Sequence, residues 1–185
     1  MSSSPGGFAD TTLSAYPVGM AMKDGLLAEY DHEMATTRRL LERVPEGALG
    51  WKPHEKSMTL AQLAGHIANI PYWGSAILDR TDFDLAAAGP DARPGAPQSV
   101  AAVLTEFDRK VAQPRNSLAT ASDPDMGTPW SLKKAEFVIF TMPRVSALRS
   151  FVMNHIIHHR GQLSVYLRLQ DVPLPPIYGP TADEQ

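Results

Sequence analysis

Apolar positions along the chain gather into four stretches with helical spacing. Leu27, Tyr30, Met34, Leu41 and Val44 recur three or four residues apart or at multiples of that step. That spacing predicts an amphipathic helix that starts near Val18 or Met20 and is ended by Pro45 and Gly47. A connector with Trp51, Pro53 and His54 leads to a second helix, for which Ser57 or Thr59 is the expected cap. Its inward stripe reads Thr59, Leu63, His66, Ile70, Trp73 and Ile77. Pro71 cannot donate to the Ile67 carbonyl, which predicts a kink about one turn beyond His66. Residues 89–97 are rich in proline and glycine and read as a loop. A third helix is expected over residues 98–120, with Val100, Val103, Leu104, Phe107, Val111 and Leu118 on its apolar face. Pro114 falls inside that pattern and weakens its later half.

Residues 123–143 lose the helical period. Trp130-Ser131-Leu132 and Phe137-Val138-Ile139-Phe140 fit two short strands of a small hairpin. The fourth helix opens just after Pro143, where proline suits a first turn, and runs to Leu169 or Gln170 before Pro173. The expected fold is therefore all-α: a four-helix bundle with a short β-hairpin before the last helix. The expected organisation is a flexible N-terminal arm over residues 1–17, the bundle domain over 18–172, and a proline-rich irregular tail over 173–185.

Composition narrows the function classes. The 185 residues suit one domain, with 43% apolar and 20% charged residues and a formal net charge of −3. No basic field is available for nucleic acid. Cysteine is absent, which excludes disulfides, cysteine-ligated zinc and a catalytic thiol of the protein's own. Any metal must be held by histidine or carboxylate, and any thiol must come from outside. No apolar run approaches the roughly 18–20 residues needed to cross a bilayer. The first residues also lack the basic-then-apolar pattern of a signal peptide, so the cytoplasm is the expected compartment.

Three of the six histidines sit in Asn154-His155-Ile156-Ile157-His158-His159-Arg160-Gly161-Gln162. At about 100° per residue, His155 and His159 differ by only about 40° in direction. That is the spacing with which one helix offers two imidazoles to one metal. His158 points about 60° to the other side of His155 and is a poorer partner for His159. Leu148, Phe151, Gln162, Tyr166 and Leu169 fall on the His155 side, so the pair is expected to face the bundle interior. His66 lies in the apolar stripe of the second helix and is the natural third ligand. Three histidines from two helices, with open positions, suit zinc, nickel or another divalent transition metal. Ile156 stands where a His-Glu-x-x-His zinc protease has its glutamate.

Other readings compete at each position. A single histidine on an apolar face, such as His66, is ordinarily a hydrogen-bonded core residue. His158 reads as a second-layer or inter-subunit group, and His32 and His54 as surface residues. Arg160 is better explained by a helix–helix ion pair than by an anionic substrate. Gly161 in mid-helix costs about 1 kcal/mol against alanine and suggests a close backbone approach. Asp31 and Glu33 read as a solvated face of the first helix, or as a support for the metal ligands. Trp51, Trp73 and Trp130 read as core or rim packing.

The run from His155 through His159-Arg160-Gly161-Gln162 to Leu169 resembles the His-x-x-x-His-Arg-Gly-Gln signature of the DinB-like (DinB/YfiT-like) superfamily. The Trp51-x-Pro connector, the run from Ser57 to His66 and the Pro143-Arg144 start of the last helix are similar to the same family. The likeness covers about residues 20–172. It implies an up-down-down-up style bundle, frequent homodimers, and a metal held by His66, His155 and His159, carried over by position. Relatives with known chemistry include transferases that use low-molecular-weight thiols and a mycothiol-dependent isomerase. The first 17 residues and the prolines of 173–180 have no counterpart in the pattern.

Three functions are compatible with these residues. The first is a divalent-metal-dependent enzyme acting on a small-molecule electrophile with an external low-molecular-weight thiol, or, in a variant of the same site, on water as a hydrolase. The second is a non-catalytic metal-binding stress-response protein. The third is a helical dimerisation module whose histidines are ordinary core residues. Neither a nucleic-acid nor a membrane partner is expected.

Overall fold

The computed structural model describes residues 21–92 and 94–184, so the expected N-terminal arm and the helix starts at Val18 and Met20 lie outside the described residues. The fold is mainly helical with a small three-stranded sheet. Helix α1 spans Met22–Leu41 and buries Leu26, Tyr30, Met34, Leu40 and Leu41. The connector then docks back on the start of α2, Leu60–Asn69: the Leu60 amide donates to the Trp51 carbonyl at 2.8 Å, and the Ala61 amide to that of Leu49 at 2.9 Å. Thr59 completes the start as a capping box with Gln62, satisfying two backbone donors that a helix end leaves open.

Pro71 ends α2 as its chemistry demands, and the chain resumes as α3, Tyr72–Asp79. Helix α4, Val100–Thr120, runs through Pro114 without stopping. The ring of Pro114 is buried against Gly74, where an added Cβ would lie 2.7 Å from the proline Cβ. Gly74 thus lets α3 and α4 approach at the point where proline removes a hydrogen bond. A short turn of helix, α5, Asp123–Gly127, precedes the hairpin of β2, Pro129–Lys134, and β3, Phe137–Pro143. These antiparallel strands match the expected hairpin, with Trp130 opposite Met142 and Leu132 opposite Phe140. Trp130 and Leu132 point into the core, and the Trp130 indole N–H donates to the Ala76 carbonyl at 3.0 Å. Strand β1, Asp82–Asp84, adds a parallel edge to β2. With three residues, it is too short to leave a period in the sequence.

The last helical stretch is continuous from Pro143 but not uniform. Helix α6, Arg144–Leu148, passes through a π-helical turn at Arg149–Met153 into α7, Asn154–Arg168. Within that turn the Asn154 amide bonds the Arg149 carbonyl five residues back. The wider turn changes the phase of everything before His155 relative to everything after it.

This corrects the predicted inward face. The buried side chains of α7 are Ile156, Arg160, Leu163 and Leu167, while Gln162 and Leu169 are exposed. Gly161 is also exposed and an added Cβ would meet nothing within 4 Å, so the expected close backbone approach is absent there. Helix α1 packs on α4 and α7, and α2 packs on α4 and α7.

An ion pair lies inside this core. Glu33 is buried, not solvated, and its carboxylate meets the Arg160 guanidinium at 2.6 Å with both side chains almost fully enclosed. Arg160 also donates to the Glu33 carbonyl at 3.2 Å and to Thr37 Oγ1 at 3.3 Å. The tail, irregular as expected, returns to this pair. Tyr178 accepts from Arg160 Nη2 at 2.7 Å and donates to the Glu33 carboxylate at 2.9 Å. Glu184 and Asp183 pair with Arg43 and Arg168.

Arg160→Met would leave the Glu33 carboxylate buried without its cation. We expect a loss of about 3–5 kcal/mol of stability, because an unpaired buried charge keeps its desolvation cost. Replacing both partners, Glu33→Leu with Arg160→Met, should recover most of that loss in urea unfolding. A double variant as unstable as the single one would show that the charge pairing is not the source.

Candidate functional site

His66 is carried by the second turn of α2, and His155 and His159 by successive turns of α7. The helices pack side by side, so the three imidazoles meet. One ligand nitrogen from each ring lies within 4.8 Å of the others. His66 Nε2 and His155 Nε2 are 3.2 Å apart. The His66 ring centroid lies 5.0 Å from that of His155 and 4.4 Å from that of His159. All three rings are half-buried. His158 is exposed and outside the cluster, although its ring stacks edgewise on His159 at 4.8 Å. His32 and His54 are both exposed, as expected for surface residues.

The surroundings orient the rings. His159 Nδ1 sits 2.7 Å from Gln162 Oε1 and donates to it, which leaves the lone pair on Nε2. Gln162 therefore acts in the site, a role that its place in the His-Arg-Gly-Gln run signalled by lying one turn beyond His159. His155 is held by a backbone hydrogen bond to Phe151 in the π turn. Trp51 packs edge-on against Tyr166 at 5.7 Å, and Tyr166 donates to the Met58 carbonyl at 3.3 Å. The Trp51-x-Pro connector thereby holds the start of α2 against α7.

Burial makes this a site for neutral imidazoles. Desolvation, followed by the neighbouring His159 and His155, pulls the pKa of His66 down to about 4. Desolvation also lowers His155 and His159, opposed in each by its hydrogen bond to Phe151 or Gln162. Among the described residues no carboxylate joins the three rings. The arrangement offers three neutral nitrogen donors from one side. Beside it lies a cleft of about 660 Å³ that His66 and His155 help to line.

These shifts fix the sign of a pH effect on the metal-free protein. Between the ordinary histidine pKa of 6.5 and about 4, the unfolded chain binds a proton that folded His66 refuses. Stability should therefore be fully present above 6.5 and fall as pH drops through that window. Melting temperatures of chelated protein across this range should show a slope that His66→Gln reduces.

Comparison with known proteins agrees with this fold. The chain is 27% identical over 166 residues to the uncharacterized protein YrdA of Bacillus subtilis (strain 168), covering 87% of this chain and 90% of YrdA. Its fold is similar to a crystal structure of a DinB-like protein from Bacillus cereus ATCC 10987, with a TM-score of 0.64 at 21% identity, over 84% of this chain and 97% of the other. A second DinB-like protein, YjoA from Bacillus subtilis, is similar at a TM-score of 0.64 and 17% identity, over 83% of this chain and 96% of the other. The sequence profile of the DinB superfamily matches residues 29–163, a span that holds all three clustered histidines, and the chain belongs to that superfamily.

Proposed function

We propose that the protein is a divalent-metal-dependent transferase that joins an external low-molecular-weight thiol to a small electrophile, with the ion held by His66, His155 and His159. The observation that carries this reading is the convergence of three ring nitrogens within 4.8 Å from two different helices. Ligands at 2.0–2.1 Å around a tetrahedral ion stand about 3.4 Å apart, so a small closure of the rings would satisfy one. The donor set fits zinc or nickel: three neutral imidazoles, each depressed in pKa, and no carboxylate among the described residues of the cluster. Three protein donors leave coordination positions for a thiol or water.

A bound divalent ion supplies Lewis acidity, lowering the pKa of a coordinated thiol or water towards neutrality. The chain's own residues do the rest. His66, His155 and His159 hold the centre, Gln162 fixes the proton of His159 on Nδ1, and the apolar wall beside His66 restricts water. The chain has no cysteine, so the sulfur must arrive with a cosubstrate. We read the helices α1, α2 with α3, α4, and α6 with α7 as the four members of a four-helix bundle, in which the ion would tie the second member to the fourth.

Added zinc should bind at one ion per chain and raise the melting temperature, because a ligand of the native state alone stabilises it by linkage. His159→Ala and His66→Ala should lose most of the metal, whereas His158→Ala should retain it. Rates of conjugation between a small electrophile and low-molecular-weight thiols should collapse in His159→Ala and on chelation. Equal rates in wild type and His159→Ala would remove the transferase reading. Turnover with water alone would make the site a hydrolase, and metal binding without any turnover would make it a non-catalytic metal site.

A further inference from the structure

The cleft beside the triad carries information about what is delivered there. It reaches the histidines through His66 and His155, not through His159. Its walls include Trp73, Leu85, Leu132 and Phe151, closed on one side by the segment from Pro94 to Pro97. No described lining residue is charged. Two of the polar lining side chains are engaged with the protein itself. Asn69 donates to the Ala92 carbonyl at 3.3 Å and accepts from Lys110, and Gln62 Oε1 accepts from the Thr59 amide at 2.8 Å. Among the described lining side chains a charged ligand would find few partners to replace its water, whereas an apolar one would gain contacts with the aromatic and aliphatic walls.

The wall is also built to sit close. Gly65, adjacent to His66, leaves room for Pro97: a Cβ there would stand 2.6 Å from the proline Cδ. The Pro97 ring is rigid, so a side chain at position 65 would push the segment off α2 and open the cleft. Trp73 lies edge-to-face with Phe83 at 4.9 Å, and Phe151 stacks on Phe140 at 5.2 Å. The aromatic walls are therefore fixed by neighbours rather than free to collapse inwards. The volume, about 660 Å³, is that of a site for a small organic molecule.

We propose that this cleft binds an uncharged, largely apolar, ring-bearing portion of the substrate and presents it to the centre at His66 and His155. The proposal rests on the triad being the reactive centre, and it specifies the class of electrophile: a neutral molecule with an aromatic or alicyclic body, not an anionic metabolite. Binding of that body needs the walls and not the ion.

The test uses the full chain, zinc-loaded and chelated, with two fluorescent probes of one skeleton: neutral N-phenylnaphthylamine and its sulfonated counterpart, anilinonaphthalene sulfonate. The neutral probe should bind one per chain, in both metal states, at least about tenfold more tightly than the sulfonate. Leu85→Glu places a carboxylate in the wall away from the histidines and should weaken the neutral probe by at least about tenfold, whereas Leu85→Met should not. Circular dichroism and zinc content of each variant report folding and the metal site separately. Sulfonate binding as tight as the neutral probe, or no effect of Leu85→Glu in a folded protein, overturns the proposal. Failure to bind zinc with normal probe binding would instead overturn the metal reading alone.

Discussion

The buried pair between Glu33 and Arg160 sets the rotation of α7, and the site depends on that rotation. A guanidinium with 1% of its side chain exposed can sit in this core only where a carboxylate meets it. Arg160 therefore has one acceptable direction, towards α1. His159 precedes it by one residue, about 100° around the helix, and His155 lies one turn further back. With Arg160 fixed on α1, both histidines are turned out of the innermost seam and onto the side where α2 supplies His66. Tyr178, arriving from the tail, completes the acceptor set of the guanidinium and the donor set of the carboxylate. The pair is thus a rotational lock for the histidines, and it touches none of them.

That lock places the triad at a boundary. Deeper in the seam, at Ile156 or Leu163, the rings would be cut off from any substrate; further out, at the exposed position of His158, they would lose their enclosure. Half-burial gives access together with desolvation, and desolvation is the leading cause of the lowered pKa of each ring. The same rings that are costly to protonate are in the state a metal requires.

Much of this was legible in the sequence where the signal was local. The break in the line of α2 at Pro71, its cap at Thr59, and the two short strand-like runs around Trp130 and Phe140 each have a reason confined to a few residues. The pairing of His155 with His159 follows from a four-residue step within one helix. The failures share a different cause. A helical wheel drawn from Leu148 to Leu169 assumes one phase and puts Gln162 and Leu169 inside; the π turn at Arg149–Met153 breaks that phase, and both residues are exposed. Glu33 reads as a solvated residue on α1 because its partner lies 127 positions away. Gly161 has no backbone against it, and nothing in the structure explains it.

The position of the cleft follows from the same packing. Its floor is the outer face of α2, where Gln62, Gly65, His66 and Asn69 recur at helical spacing and Trp73 continues the line beyond Pro71. The break at Pro71 starts α3 afresh, where the Trp130 indole bonds its Ala76 carbonyl and Phe151 stands near Trp73 at 6.5 Å. The π turn that spoils the helical wheel is also the segment that supplies Phe151 to this wall and a backbone partner to His155. Two departures from regular helix, one dictated by a proline and one invisible in the sequence, therefore bring an aromatic wall and three imidazoles to the same place.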